Sequence, residues 1–120
     1  MIQVCLQRGL GTLDEIQAFF SPKLEDLKDP FLIQDMDRAT ERLILARERG
    51  ERVRVFGDYD VDGTTGTALL SWFFRDCGFQ FDAIQPDRFR DGYGLNRGAV
   101  EEAFNDQVIV LLTVDCGISS

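Results

Sequence analysis

The chain has no histidine among its 120 residues, only three cysteines and three prolines, and no apolar run approaching the length of a membrane span. Without histidine, a metal site built from the chain's acids has oxygen ligands only, which favours Mg2+ or Mn2+ over zinc. Cys5, Cys77 and Cys116 are odd in number and form no Cys-x-x-Cys pair, so they read as reduced, mostly buried thiols. Cys116 adjoins an acid of interest below, and its default role is packing, because free cysteine behaves as a small hydrophobe. Residues 1–10 lack the apolar core of a signal peptide, which makes a soluble cytoplasmic protein with no membrane partner the expectation. The length suits one domain and is short for a two-lobed enzyme.

Acidic residues are abundant: the formal net charge is −8, which on its face argues against a nucleic-acid partner. The distribution softens that objection. Residues 38–54 hold six arginines against three glutamates, whereas residues 55–120 hold eleven acids against four arginines. Acids that ligate metal are compensated by it, so net charge misleads for such a protein. The arginine-rich stretch reads first as a solvated helix face with Glu–Arg pairs and second as a phosphate track.

The densest acidic feature is Asp58-Tyr59-Asp60-Val61-Asp62-Gly63, directly after the apolar, strand-forming residues Val53, Val55 and Phe56. Three carboxylates at two-residue spacing are costly unless a cation holds them. An EF-hand calcium loop opens on the same pattern but ends on a bidentate glutamate at its twelfth position, and here that position is Leu69. An EF-hand loop also follows a helix and not a strand, so the calcium reading fails twice. What remains is a carboxylate cluster at the C-terminal end of a strand, where open α/β sheets gather ligands and reacting groups.

A second strand signal, the continuous apolar run 108–114, ends in Asp115-Cys116-Gly117 and has the composition of a strand buried on both faces. If the two strands are parallel neighbours, Asp115 approaches Asp60 and Asp62, and the four acids need a cation between them. A single acid after a strand serves equally as a helix cap or turn residue, but one cap explains one acid and not three.

Residues 1–33 read as short helical pieces broken at Gly9, Gly11, Pro22 and Pro30, with Thr12 and Glu15 forming a capping box. Helices are expected over 35–50, 64–77 and 96–105, and strands over 53–57, 79–85 and 108–114. This alternation predicts an α/β fold with a doubly wound parallel sheet, preceded by a helical N-terminal extension over 1–50. The N-terminus of the 64–77 helix faces the acids, and the backbone amides of Thr64, Thr65 and Gly66 are candidates to receive a phosphate. The loop 86–96 contains Arg88, a guanidinium on the same sheet edge able to grip phosphate or to pair with Asp87 or Asp91. Gly92 and Gly94 permit positive-φ turns there.

In order, the segments 55–67, 88–95 and 113–120 closely resemble the DHH phosphoesterase superfamily. Gln7-Arg8-Gly9, Asp29-Pro30-Phe31 and Asp35-Met36-Asp37-Arg38-Ala39 resemble the N-terminal part of its single-stranded-DNA-specific 5′→3′ exonuclease branch. The resemblance spans essentially the whole chain, and three ordered motifs are more specific than any one alone.

It implies that residues 51–120 are the N-terminal part of such a domain and that Asp58, Asp60, Asp62 and Asp115 form a catalytic site with two Mn2+ or Mg2+ ions. Asp60 and Asp62 would be the firmer ligands of the first motif, and Asp115 would bridge. Arg88, Gly117 and Ser119 would hold substrate phosphate, and the partner would be single-stranded DNA. Phe56 stands where some relatives carry a ligand histidine, which favours the exonuclease branch over pyrophosphatases.

The same resemblance implies an incomplete and inactive piece. A histidine-containing motif, a later acidic ligand and a C-terminal substrate-binding domain are missing from a chain that ends five residues after Asp115. Alternative readings are a phosphoesterase acting on short oligonucleotides or cyclic dinucleotides, and a non-catalytic binding or scaffold fragment.

Overall fold

The structure, a computed structural model, describes residues 2–87, 92 and 94–117. Its contacts divide into two compact units, residues 1–36 and residues 37–120.

The first unit contains α1 (Ile2–Gln7), α2 (Leu13–Phe20) and two 3₁₀ turns, Leu24–Asp26 and Pro30–Leu32. Thr12 caps α2 as its sequence pattern predicts. The Glu15 amide donates to Thr12 Oγ1 at 3.2 Å, and the Thr12 amide donates back to Glu15 Oε2 at 2.9 Å. Among the described residues of this unit only Cys5 is buried.

The second unit holds α3 (Met36–Arg49), β1 (Val53–Gly57), α4 (Val61–Asp76), β2 (Phe81–Ile84), α5 (Arg97–Asn105) and β3 (Val110–Val114). The strands form a parallel sheet in the order β2-β1-β3. Alternation along β1 sends Val53 and Val55 to one face, where they pack with Ala46 of α3 and Phe74 of α4. Phe56 packs on the other face with Ala99 of α5 and Cys116. Helices therefore cover both faces of the central strand, which is buried along its whole length. This is the doubly wound parallel arrangement that the alternation predicts. Among the described residues no helix is long and apolar enough to cross a membrane.

The contact division at 36/37 groups α3, which contributes Leu43 and Ala46 to the sheet core, with the strands. Two expectations are corrected. β3 is only half-buried, because among the described strands it pairs with β1 alone and forms the sheet edge. Arg52 and Arg54 belong neither to a solvated helix face nor to a phosphate track. Arg54 is 3% exposed within β1 and donates from Nε to Asp82 Oδ1 at 2.7 Å and from Nη2 to Asp106 Oδ2 at 2.7 Å. Arg52 joins from the strand's start, Nη2 to Asp82 Oδ2 at 2.6 Å. The buried guanidinium thus ties β1 to β2 and to the C-terminal end of α5, where the helix dipole welcomes a cation.

Candidate metal centre

β1 ends at Gly57, and the next residue, Asp58, donates its amide to Val114 O at 3.0 Å, carrying the pairing with β3 one residue further. That places the Asp58 side chain in the interior. It is 1% exposed, and its Oδ1 is buried with no hydrogen-bond partner among the described residues. A buried carboxylate oxygen left unpartnered carries a heavy desolvation penalty unless a cation meets it.

Asp60 is the N-cap of α4, accepting from the Gly63 amide at 3.0 Å. The helix therefore starts at Val61, three residues before the expected Thr64, and Asp62 lies in its first turn. The early start also removes the candidate phosphate donors: in a helix that begins at Val61 the amides of Thr64, Thr65 and Gly66 donate to carbonyls one turn back, Thr64 to Asp60 O at 2.9 Å. Capping and metal ligation do not compete at Asp60, because a carboxylate has lone pairs for both.

Three glycines let the helix sit this close to the strand ends, and a Cβ on Gly57 would overlap Thr67 Oγ1 of α4. A Cβ on Gly63 would stand 2.7 Å from the backbone N and C of Asp58, and one on Gly66 would stand 2.7 Å from Val114 Cγ1.

Asp115 follows β3 in the left-handed region, φ 58°, a conformation that aspartate tolerates better than most residues. It meets the other acids there. One carboxylate oxygen from each of Asp58, Asp60 and Asp115 lies within 4.8 Å of the others. Asp62 is outside that trio but near enough for its charge to act on Asp115. The Asp115 carboxyl is held above its ordinary value, first by lost hydration, then by the charges of Asp60 and Asp62, a hydrogen bond with Asp60, and the charge of Asp58. An all-oxygen set of carboxylates at this spacing suits a hard divalent cation such as Mn2+ or Mg2+.

The other predicted site residues divide. Gly117, exposed at φ 73°, follows Asp115 by two residues, whereas Arg88 and Ser119 lie outside the described residues. Gly92 and Gly94 adopt positive φ, 78° and 76°, as expected of their loop. Cys116 is a packing residue. It is 3% exposed, lies against Phe56, and its thiol is pushed up by burial, which keeps it protonated and inert. One residue escaped sequence reasoning altogether: Gln85, whose Nε2 donates to Asp58 O at 3.0 Å and to Thr64 Oγ1 at 2.9 Å. The available signal was its place directly after β2, on the same edge as the acids.

An open parallel sheet whose adjacent strands deliver carboxylates to one point at their C-terminal edge defines an α/β domain with a metal-type acid centre. No family model matches the chain. It is 33% identical over 115 residues to the single-stranded-DNA-specific exonuclease RecJ of Bacillus subtilis, an alignment covering 96% of this chain and 15% of that protein. The RecJ of Escherichia coli is 40% identical over 89 residues, covering 73% of this chain and 15% of that protein. That of Dickeya dadantii is 36% identical over 115 residues, covering 95% and 19%.

Among solved structures, an exonuclease RecJ bound to manganese superposes with a TM-score of 0.64 at 40% identity, covering 69% of this chain and 21% of that one. RecJ from Thermus thermophilus in complex with Mn2+ gives a TM-score of 0.66 at 29% identity, covering 97% and 15%. Over most of its own length the chain is thus similar to one segment of the RecJ exonucleases. It spans between 15% and 19% of the length of these curated relatives.

Proposed function

We propose that Asp58, Asp60, Asp62 and Asp115 are part of the catalytic centre of an exonuclease that hydrolyses single-stranded DNA from its 5′ end with Mn2+ or Mg2+. The observation that carries this reading is the buried, unpartnered Oδ1 of Asp58 in a carboxylate trio no wider than 4.8 Å. Asp58 anchors the site from the interior, Asp60 is oriented by its cap on α4, and Asp115 faces both from the neighbouring strand. Asp62, in the first turn of α4, would join them as a further ligand. Arg88, Gly117 and Ser119 hold the substrate phosphate beside it. A bound divalent cation supplies a water nucleophile at neutral pH and neutralises charge on the departing oxygen.

Four carboxylates without histidine leave a two-metal centre short of ligands, so the 120-residue chain alone has little or no nuclease activity. The test pairs calorimetric titration of the purified chain with Mn2+ and an assay on 5′-phosphorylated single-stranded DNA. Mn2+ binding that Asp58→Asn abolishes, with no appreciable degradation, is the expected result. Robust Mn2+-dependent degradation by residues 1–120 would overturn the inactivity, and failure of a longer, histidine-containing RecJ-type protein to bind Mn2+ would overturn the metal reading.

A further inference from the structure

We propose that Gln85 is a positioning residue for the acid cluster, holding the turn between β1 and α4 in the shape that a divalent cation needs. This rests on the metal reading above and adds a residue to it. The Asp58 main chain is clamped from both neighbouring strands. Its amide donates to Val114 O at the end of β3, 3.0 Å, and its carbonyl accepts from Gln85 Nε2 at the end of β2, also 3.0 Å.

A backbone carbonyl can only accept, so the amide orientation of Gln85 follows from chemistry: its nitrogen must face Asp58. The same nitrogen carries a second hydrogen, donated to Thr64 Oγ1 at 2.9 Å. Its two acceptors bracket the turn, one where the chain leaves β1 and one in the first turn of α4, with Asp60 and Asp62 between them.

A side chain performs this task because the backbone cannot. Ile84 is the last residue of β2 in register with β1, opposite Phe56, and Pro86 follows shortly with no amide hydrogen to continue the ladder. Two bonds of the turn, Gly63 amide to Asp60 Oδ1 and Thr64 amide to Asp60 O, are internal to it. They shape the turn without fixing it against β2. Gln85 supplies that fixation on the side away from Asp115. Without it the carbonyl of Asp58 turns to water, and the acids lose a constraint that otherwise precedes metal binding.

Gln85 is itself exposed, so its loss leaves no buried cavity and the effect falls on the acids more than on the fold. The test uses the 120-residue chain and Mn2+ as probe, with affinity read from the electron paramagnetic resonance signal of the free aquo ion. Metal-free thermal unfolding is recorded in parallel. Gln85→Met should weaken Mn2+ binding by about tenfold while the metal-free midpoint stays close to wild type. Thr64→Val, which removes one of the two acceptors, should give a smaller loss, and Thr64→Ser, which keeps the hydroxyl, should bind as wild type does.

Wild-type affinity in Gln85→Met, or a shift in its midpoint with no change in affinity, overturns the positioning role and leaves the metal site standing. Absence of Mn2+ binding by the wild-type chain overturns both readings. If Gln85→Met fails to fold, the Thr64 pair decides: equal affinities for Thr64→Val and Thr64→Ser overturn the proposal.

Discussion

Asp58 and Asp115 occupy equivalent positions on neighbouring parallel strands, because Gly57 is in register with Val114 and each acid is the next residue. The register, and not a local motif, brings two carboxylates 57 positions apart to one spot. Asp58 is buried with an unpartnered oxygen, so its charge destabilises the metal-free fold. Asp58→Asn should therefore raise the metal-free unfolding midpoint while removing the stabilisation by Mn2+. In the wild type, Mn2+ at about 100 times its Kd should add about 2.7 kcal/mol. Thermal melts of both proteins with and without Mn2+ check this, and an unchanged Mn2+ response in Asp58→Asn would count against the site.

Proton and metal compete at Asp115. Its carboxyl is raised by lost hydration and then by its acidic neighbours, so the proton leaves at higher pH in the folded chain than in the unfolded one. The sign follows: its contribution to metal-free stability is fully present below the unfolded value and is lost as pH rises through the folded one. Mn2+ affinity runs the opposite way, increasing as Asp115 deprotonates. Titrations with Mn2+ at several values from about pH 4 to about pH 7 should show that rise, and Asp115→Asn should flatten it.

Arg54 gives a stability prediction on the other side of the scale. The Asp82 carboxyl is lowered mainly by its hydrogen bond to Arg54, with a further contribution from Arg52. A lowered carboxylate stabilises the fold above its unfolded value and loses that contribution as pH falls through the folded one. Asp82→Ala leaves the nearly inaccessible Arg54 guanidinium with Asp106 alone and should cost about 3 kcal/mol in urea unfolding at neutral pH. The deficit should shrink on acidification. An equal deficit at neutral and strongly acidic pH would refute the assignment.

Two of the close-approach glycines, Gly63 and Gly66, should differ. Gly63→Ala drives a methyl into the backbone of Asp58, which cannot move without shifting the acid, so a loss of about 3 kcal/mol is expected. Gly66→Ala meets only the γ-methyl of Val114 on a half-buried edge strand, and the gain in helix propensity offsets part of the clash, leaving a loss below about 1 kcal/mol. Mn2+ affinity should fall in the first variant and hold in the second. The reverse order of effects would show that the turn has more freedom than its packing indicates.

Much of this was legible without coordinates wherever the controlling interaction is local. The Thr12–Glu15 box, the apolar composition of β1 and the acids at two strand ends are patterns a few residues long, set by backbone hydrogen bonding and side-chain period. The start of α4 was misplaced because Asp60 acts as a cap and a cluster member together, and the sequence pattern cannot say which turn of the helix a capping acid begins. Arg54 was hidden in a basic run, since its partners Asp82 and Asp106 lie 28 and 52 residues away.

Residue types and their spacing establish that the chain builds a parallel α/β sheet with acids at its C-terminal edge, because hydrophobic period and turn chemistry act over neighbouring residues. Strand order and register are decided by packing between distant segments. They determine that Asp58 is interior, that Asp115 meets it, that β3 lies at the sheet edge, and that Gln85 reaches across to brace the turn.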